Sequence, residues 1–272
     1  MHHNSKEIQN QFEGFLETPF LWENTNTINL EQFKVIKLDT SIFNSVITTK
    51  LRLGKLVERF VSFELQQDSS IKIVAENIQI QENKRTIGEL DCLLLKNNQP
   101  IHLEIVYKFY LYDSSVGTTE IERWIGPNRR DSFIQKLTKL KEKQLPLLYS
   151  NQCKSYLDEL NLSSKEIKQQ AYFKAQLFVP IKDIDLEFPI INNDCICGFY
   201  INPKELNQFS ECKFYIPNKH NWLTKPHTNV NWLQFEEYKT KLQVFLDEQN
   251  SPLCWMKQPN GELVKFFVVY WN

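Results

Sequence analysis

Two acidic residues and a lysine on neighbouring extended segments could together bind a metal ion. Side chains on a β-strand point alternately to opposite faces, so Glu104 and Lys108 share one face of the segment 101–112. Asp91 lies on the preceding extended segment, 87–95. If the two segments pair as neighbouring strands, we expect Asp91 and Glu104 to lie a few ångströms apart, with Lys108 further along the same face.

This combination of side chains suits the hydrolysis of a phosphodiester. Carboxylate oxygens hold the hard cations Mg²⁺ and Mn²⁺, and an ammonium group can steady an attacking water or the negative charge that develops on phosphorus. The alternation alone favours a simpler interpretation, a solvated face that carries an ordinary exposed salt bridge. His102 lies on the same face and is interpreted as a partly buried hydrogen-bonding residue, with metal ligation as the alternative.

The elements that would position these residues follow from the pattern of apolar and polar residues. Apolar residues recur at helical spacing in two places, and polar clusters that are typical of turns separate three extended segments. The predicted elements are a helix over 51–65, strands over 71–81, 87–95 and 101–112, a helix over 129–144 and a strand over 171–181. The order is α-β-β-β-α-β, and the short connections predict that the three strands are antiparallel.

The first helix carries two glutamates in different positions. Glu64 lies within the apolar stripe, where an acid needs a partner or a raised pKa, so we interpret it as a hydrogen-bonded structural residue. Glu58 lies at the margin of the stripe and points towards a sheet edge. We therefore predict that Glu58, rather than Glu64, belongs to the site.

A basic segment follows the third strand. Residues 123–143 contain seven basic residues against two acidic ones, although the whole chain has a net charge of only −1. A ridge of lysines on a helix can follow phosphates without reading bases, and a solvated lysine face is the alternative. The predicted nucleic-acid contacts are Arg129, Arg130, Lys136, Lys139 and Lys143. Arg129 and Arg130 oppose the helix dipole at the predicted helix start, so we expect an anion or an acidic partner to hold them.

Length and composition exclude several classes of protein. With 272 residues, 42% hydrophobic and only 7 glycines, the chain is neither disordered nor fibrous. It contains no apolar run of membrane-spanning length and its first residues do not resemble a signal peptide, so we expect a cytoplasmic protein without a membrane partner. The six cysteines form no Cys-x-x-Cys pair and are predicted to be reduced thiols; a zinc site from Cys195, Cys197 and Cys212 is a less favoured alternative.

Three regions are predicted along the chain. Residues 1–48 mix aromatic residues with turn formers and indicate an N-terminal cap of short helices, and residues 49–182 form the core. Residues 183–272 indicate an α+β extension packed on the core, with strands near 195–201 and 212–216, a helix over 232–247 and a hairpin whose turn is Pro259-Asn260-Gly261.

Particular motifs resemble known families. The order of elements, with Glu58 on the opening helix, Asp91 closing Gly-Glu-Leu-Asp and Glu104 on the next strand, resembles the PD-(D/E)xK nuclease-like superfamily. The segment Gly-Lys-Leu-Val-Glu-Arg over 54–59 resembles the opening helix of archaeal Holliday-junction resolvases. The string Trp-Ile-Gly-Pro-Asn-Arg-Arg-Asp over 124–131, with the motifs before it, is similar to the bacterial domain-of-unknown-function family 1853.

The resemblance implies a restriction-endonuclease-like core, a central mixed sheet flanked by helices. It implies that Asp91 and Glu104 bind Mg²⁺ or Mn²⁺, that Glu58 assists them and that a lysine orients the nucleophile, in a bacterial nuclease acting on DNA rather than RNA. The superfamily pattern places the lysine two residues after the glutamate, where this chain has Val106, and the candidate on the same face is Lys108. An inactive nuclease fold that binds nucleic acid or a protein partner is the alternative.

Overall fold

The computed structural model describes residues 2–23, 25–35, 42–47 and 51–271. The helices are α1 (His2–Glu17), α2 (Thr25–Ile28), α3 (Leu53–Gln66), α4 (Phe133–Lys139), α5 (Asn151–Glu159) and α6 (Phe235–Asp247). The strands are β1 (Ile71–Glu82), β2 (Arg85–Lys96), β3 (Gln99–Tyr112), β4 (Trp124–Ile125), β5 (Lys168–Pro180), β6 (Ile196–Ile201), β7 (Lys213–Tyr215), β8 (Leu253–Lys257) and β9 (Leu263–Val268).

The predicted order of helix, three strands, helix and strand is confirmed in α3, β1, β2, β3, α4 and β5. Among the described strands and α-helices of this region, two are additional: the two-residue β4 before α4 and the helix α5 after it. The predicted strands and helix of the C-terminal region are present as β6, β7 and α6, and the predicted hairpin joins β8 and β9. At the N-terminus α1 is a single helix of 16 residues rather than one of several short ones. Part of the region predicted as a cap, residues 36–41, lies outside the described residues.

The strands form a mixed sheet, and the chain divides into two compact units. The first, the meander unit, comprises residues 20–107 and 135–174. It contains the antiparallel meander of β1, β2 and β3, as predicted. Helix α3 packs on β1, and α5 contributes Cys153 and Leu157 to an apolar cluster with residues of β1 and β2.

The second unit, the C-terminal unit, comprises residues 1–19, 108–134 and 175–272. Its strand order is β5-β6-β9-β8-β7, in which β6 runs parallel to β5 and β9 while β8 runs antiparallel to β7 and β9. Helix α6 packs over β7 through Tyr238, whose ring stacks on Phe214 at 4.2 Å between centroids. None of the described helices combines the length and the apolar composition that a membrane span requires.

The helix predicted over 129–144 starts later and changes form before it ends. Its α-helical part begins at Phe133, because Arg129 has a left-handed φ of 56° in a turn that closes before the helix. From Leu140 to Gln144 the chain forms a π-helix, in which each turn contains an extra residue. The expectation that Arg129 and Arg130 lie at a helix start is therefore wrong.

Strand β3 is buried on both faces, which corrects the expectation of one apolar and one solvated face. His102 and Glu104 are fully buried and Val106 is 4% exposed, on the face that alternation assigns to charge. The pattern of residues within β3 could not show this, because this face is covered by side chains from distant parts of the meander unit, among them Gln144 and Gln169. The interpretation of Glu104 as part of an exposed salt bridge is therefore wrong.

Candidate metal centre

Asp91 and Glu104 face each other where the ladder between β2 and β3 ends. The last backbone pair of this ladder is Cys92 with Leu103, so the next residues, Asp91 and Glu104, lie opposite each other. Beyond that point the Asp91 carboxylate replaces the ladder by accepting a hydrogen bond from the backbone N–H of Ile105, at 2.9 Å. The predicted proximity of these two acidic residues is therefore present in the structure.

Burial disfavours the ionised form of both carboxyl groups. Burial, and after it the nearby charge of Glu104, raises the pKa of Asp91 to about 7. Burial also raises the pKa of Glu104, against the opposing effect of the charge on Lys136. Two facing carboxyl groups, one of them fully buried, cannot both ionise without cost, so the pair keeps a proton up to a higher pH than free carboxyl groups do.

Two further carboxylates complete an acidic cluster around Asp91. Single oxygens of Glu58, Glu89 and Asp91 all lie within 4.8 Å of one another. Glu58 comes from α3, as predicted, and burial raises its pKa. Glu89 was not predicted as a site residue, although it lies two residues before Asp91 on the same face of β2; this period of two was the available signal.

The ammonium group of Lys55 lies among the oxygens of this cluster. Its Nζ is 2.8 Å from Glu58 Oε2, 2.5 Å from Glu89 Oε1 and 2.7 Å from Asn77 Oδ1. Asn77 reaches this position from β1 with a left-handed φ of 55°. The protein thus places a cation of its own between oxygens that could bind a metal ion.

Glu104 is held on its other side by a chain of polar residues. Gln144 Nε2 donates to Glu104 Oε2 at 2.5 Å, and Lys136 Nζ donates to Gln144 Oε1 at 2.7 Å. His102 Nε2 lies 3.1 Å from Glu104 Oε1. Burial lowers the pKa of His102 to about 4, so its ring is neutral at pH 7. Sequence reasoning missed Gln144, since nothing in the local pattern indicates a π-helix.

Lys108, the lysine predicted for the site, is paired with a different carboxylate. Lys108 belongs to the C-terminal unit, where its Nζ lies 2.5 Å from Asp131 Oδ2. Glu64 has the structural contact that the sequence predicts, because Tyr172 donates a hydrogen bond from its hydroxyl to Glu64 Oε2 at 2.5 Å. Among the described residues, Cys195, Cys197 and Cys212 do not gather into a cluster of potential zinc ligands.

The predicted nucleic-acid contacts have different surroundings. Arg129 has the expected acidic partner, Asp113, at 2.8 Å, and its guanidinium lies 4.6 Å from the centre of the Trp271 ring. Lys136, which donates to Gln144, is half-buried, whereas Arg130, Lys139 and Lys143 are exposed. In the described part of the chain none of these three exposed residues forms an ion pair, which leaves their charges available to a ligand.

The string over 124–131 forms a tight turn in the C-terminal unit. Gly126 donates its N–H to the backbone oxygen of Asp131 at 2.7 Å, and a Cβ at Gly126 would lie 2.0 Å from Asp131 Oδ1. The side chain of Asn128 accepts from the N–H of Ser251, and Trp271 donates to the oxygen of Pro127. These contacts give the string a structural role within its own unit.

Comparison with known proteins agrees with the resemblance at the level of the family. Residues 23–269 match the family model described as "Domain of unknown function (DUF1853)". No curated protein and no solved structure matches the chain.

Proposed function

The chain belongs to the DUF1853 family, and we propose that it is a metal-dependent nuclease that hydrolyses phosphodiester bonds, in DNA rather than RNA. The observation that carries the proposal is the pair formed by the half-buried Asp91 and the fully buried Glu104, with Glu58 beside Asp91. Facing buried carboxyl groups destabilise a fold unless a cation or a proton compensates them, and strongly perturbed pKa values cluster at functional sites. A bound divalent cation would remove this cost.

The donor set fits Mg²⁺ or Mn²⁺, because all the candidate ligands are carboxylate oxygens. Asp91 and Glu104 would hold the ion, and Glu58 would support it from α3, with Glu89 as an additional donor. The Lys55 ammonium, which contacts oxygens of Glu58 and Glu89, supports the proposal that this cluster accommodates a positive charge. When bound, such an ion would polarise a phosphate and lower the pKa of a water molecule.

A lysine that orients the attacking water is part of the proposal. Lys108 would have to leave Asp131 to act there. Lys136 already acts on the pair, since its charge is the largest influence that lowers the pKa of Glu104. The exposed Lys139, Lys143 and Arg130 would contact phosphates without reading bases. In this proposal the core is restriction-endonuclease-like and the protein acts in the bacterial cytoplasm.

The experiment is a calorimetric titration of the wild type and of Asp91→Ala with Mg²⁺ and with Mn²⁺. Cleavage of plasmid and of single-stranded DNA and RNA is scored in the same samples. Glu142→Ala, which removes an exposed carboxylate from the π-helix, is the matched control. We expect the wild type and the control to bind the ions and to cut DNA, and Asp91→Ala to do neither. If the wild type binds neither ion at millimolar concentration and cuts nothing, the nuclease proposal is wrong.

The second candidate is an inactive nuclease fold that binds nucleic acid or a protein partner. It is favoured by the pairing of two lysines: Lys108 is held by Asp131, and Lys55 already neutralises Glu58 and Glu89 within the acidic cluster. In that case the double variant Asp91→Ala, Glu104→Ala keeps every binding property of the wild type, measured by gel shift on DNA. A loss of DNA binding in this variant when a divalent cation is present would count against the scaffold.

A further inference from the structure

The Glu104 carboxylate receives a hydrogen-bond donor on each oxygen from inside the meander unit. Gln144 Nε2 donates to Oε2 at 2.5 Å, and His102 Nε2 lies 3.1 Å from Oε1. The side chain is fully buried, so these donors replace the water that would otherwise solvate the group. The orientation of Glu104 therefore depends on what fixes the two donors.

Lys136 fixes the orientation of the Gln144 amide. An amide can present either its oxygen or its nitrogen to a neighbour, whereas an ammonium group can only donate. Since Lys136 Nζ donates to Gln144 Oε1 at 2.7 Å, the amide nitrogen of Gln144 has to face the other way, towards Glu104. Without Lys136, the amide could turn its oxygen towards the carboxylate, and the bond to Glu104 would be lost.

The same logic applies on the opposite side of Glu104. Gln169 Nε2 donates to the backbone oxygen of Leu145 at 2.7 Å and lies 3.0 Å from His102 Nδ1. This assigns His102 Nδ1 as an acceptor, so that the ring proton is on Nε2 and points at Glu104. Both donors that face Glu104 are therefore set by a second residue further away.

The local backbone explains how Gln144 reaches this position. Gln144 is the last residue of the π-helical segment Leu140–Gln144, which continues directly from α4. π-helical turns are rare and occur frequently at functional sites. Lys136 lies on α4 and is half-buried, whereas Lys139 and Lys143 on the same helical region are exposed. Only Lys136 of these three lysines hydrogen-bonds to a residue that contacts Glu104.

We propose that Lys136, acting through Gln144, is a positioning residue of the metal centre: it holds the Glu104 carboxylate in the orientation that binds the cation. This inference rests on the proposed function, because it presupposes that Glu104 is a ligand. It assigns Lys136 a task different from that of the exposed Lys139 and Lys143, which would contact phosphates and form no hydrogen bond to Gln144 in the described structure.

The test is calorimetric titration with Mn²⁺ alone, which needs no substrate and no turnover. The variants are Lys136→Met, Lys136→Arg and Gln144→Leu, with Lys141→Met, which removes an exposed lysine from the π-helix, as the matched control. Circular dichroism checks that each variant is folded. We expect Lys136→Met and Gln144→Leu each to weaken Mn²⁺ binding at least tenfold. The double variant should bind no more weakly than either single one, because the two residues act in series. Lys136→Arg should bind like the wild type, since a guanidinium also only donates.

The outcomes separate positioning from simple electrostatics. Removing a positive charge near two carboxylates should by itself tighten the binding of a divalent cation, so tighter or unchanged binding in Lys136→Met overturns the inference while the proposed function stands. Equal losses in Lys136→Met and Lys136→Arg, or an equal loss in the control Lys141→Met, overturn it as well. If the wild type does not bind Mn²⁺, the proposed function fails and the inference fails with it.

Discussion

Replacing Asp91 by asparagine should make the metal-free protein more stable, and increasingly so as the pH rises. Asparagine keeps an oxygen that can accept the N–H of Ile105, but it cannot ionise beside Glu104. The pKa of Asp91 is raised from 3.8 to about 7 in the folded protein. A raised pKa means that the folded state binds the proton more tightly than the unfolded state, so its contribution to stability is present at low pH and is lost as the pH rises towards 7.

The magnitude follows from the size of this shift. Between pH 5 and pH 7 the free energy that the Asp91 proton contributes to the stability of the wild type falls by about 1.4 kcal/mol per pH unit, over about two units. The free energy of unfolding of Asp91→Asn minus that of the wild type should therefore increase by about 2–3 kcal/mol from pH 5 to pH 8. The groups with lowered pKa values, among them His102, Lys219 and Lys265, are present in both proteins and largely cancel in the difference.

The assay is urea unfolding followed by tryptophan fluorescence, with EDTA present, at half-unit steps between pH 5 and pH 8. Glu142→Gln is the control, and its difference from the wild type should stay constant because this carboxylate is exposed. Added Mn²⁺ should stabilise the wild type at pH 8 but not Asp91→Asn, since only a native state that binds the ion gains from it. A difference between Asp91→Asn and the wild type that is flat or shrinks between pH 5 and pH 8 would refute the reasoning.

Three further predictions test separate parts of the structure. Lys55→Met removes the ammonium from between its carboxylate partners, so Mn²⁺ should bind about tenfold more tightly in calorimetry; weaker binding would mean that the ammonium supports the site. Gly126→Ala brings a Cβ within 2.0 Å of Asp131 Oδ1 and should lower the free energy of unfolding in urea by about 1–3 kcal/mol. The control is Gly54→Ala on α3, whose added Cβ meets nothing within 4 Å and which should be neutral or stabilising. For DNA binding, log K falls as log salt concentration rises, and Lys139→Glu should make this slope about one unit less steep. An unchanged slope would exclude a phosphate contact at Lys139.

Alternation and turn chemistry were sufficient to predict the meander and its acidic pair. Side chains on strands alternate whatever surrounds them, so placing Asp91 opposite Glu104 needed only the polar turns between the strands and the short connections. The position of Glu58 followed in the same way from the 3.6-residue period of α3. These are local rules, and they hold here because the elements are long and strongly patterned.

What the sequence could not indicate depends on residues far apart in the chain. Glu104 is buried because Gln144, 40 residues away, and His102, whose ring is oriented by Gln169, occupy the space around it. Gln144 reaches it through a π-helix, for which the apolar period of the segment carries no signal. The pairing of Lys108 with Asp131 likewise depends on the turn before α4, which only the three-dimensional structure shows.

The most distinctive sequence string lies in the C-terminal unit, whereas the candidate metal centre lies in the meander unit. The string over 124–131 is distinctive because its glycine, its asparagine and its left-handed arginine are each required by a tight turn of the C-terminal unit. The carboxylates of the candidate metal centre do not form part of any comparably distinctive string. An asparagine at position 91 could still bond Ile105 and would spare the fold a buried charge, so stability alone does not explain a carboxyl group there. The proposed cation at Asp91 and Glu104 would explain it, and the pH dependence of Asp91→Asn with and without Mn²⁺ tests that explanation directly.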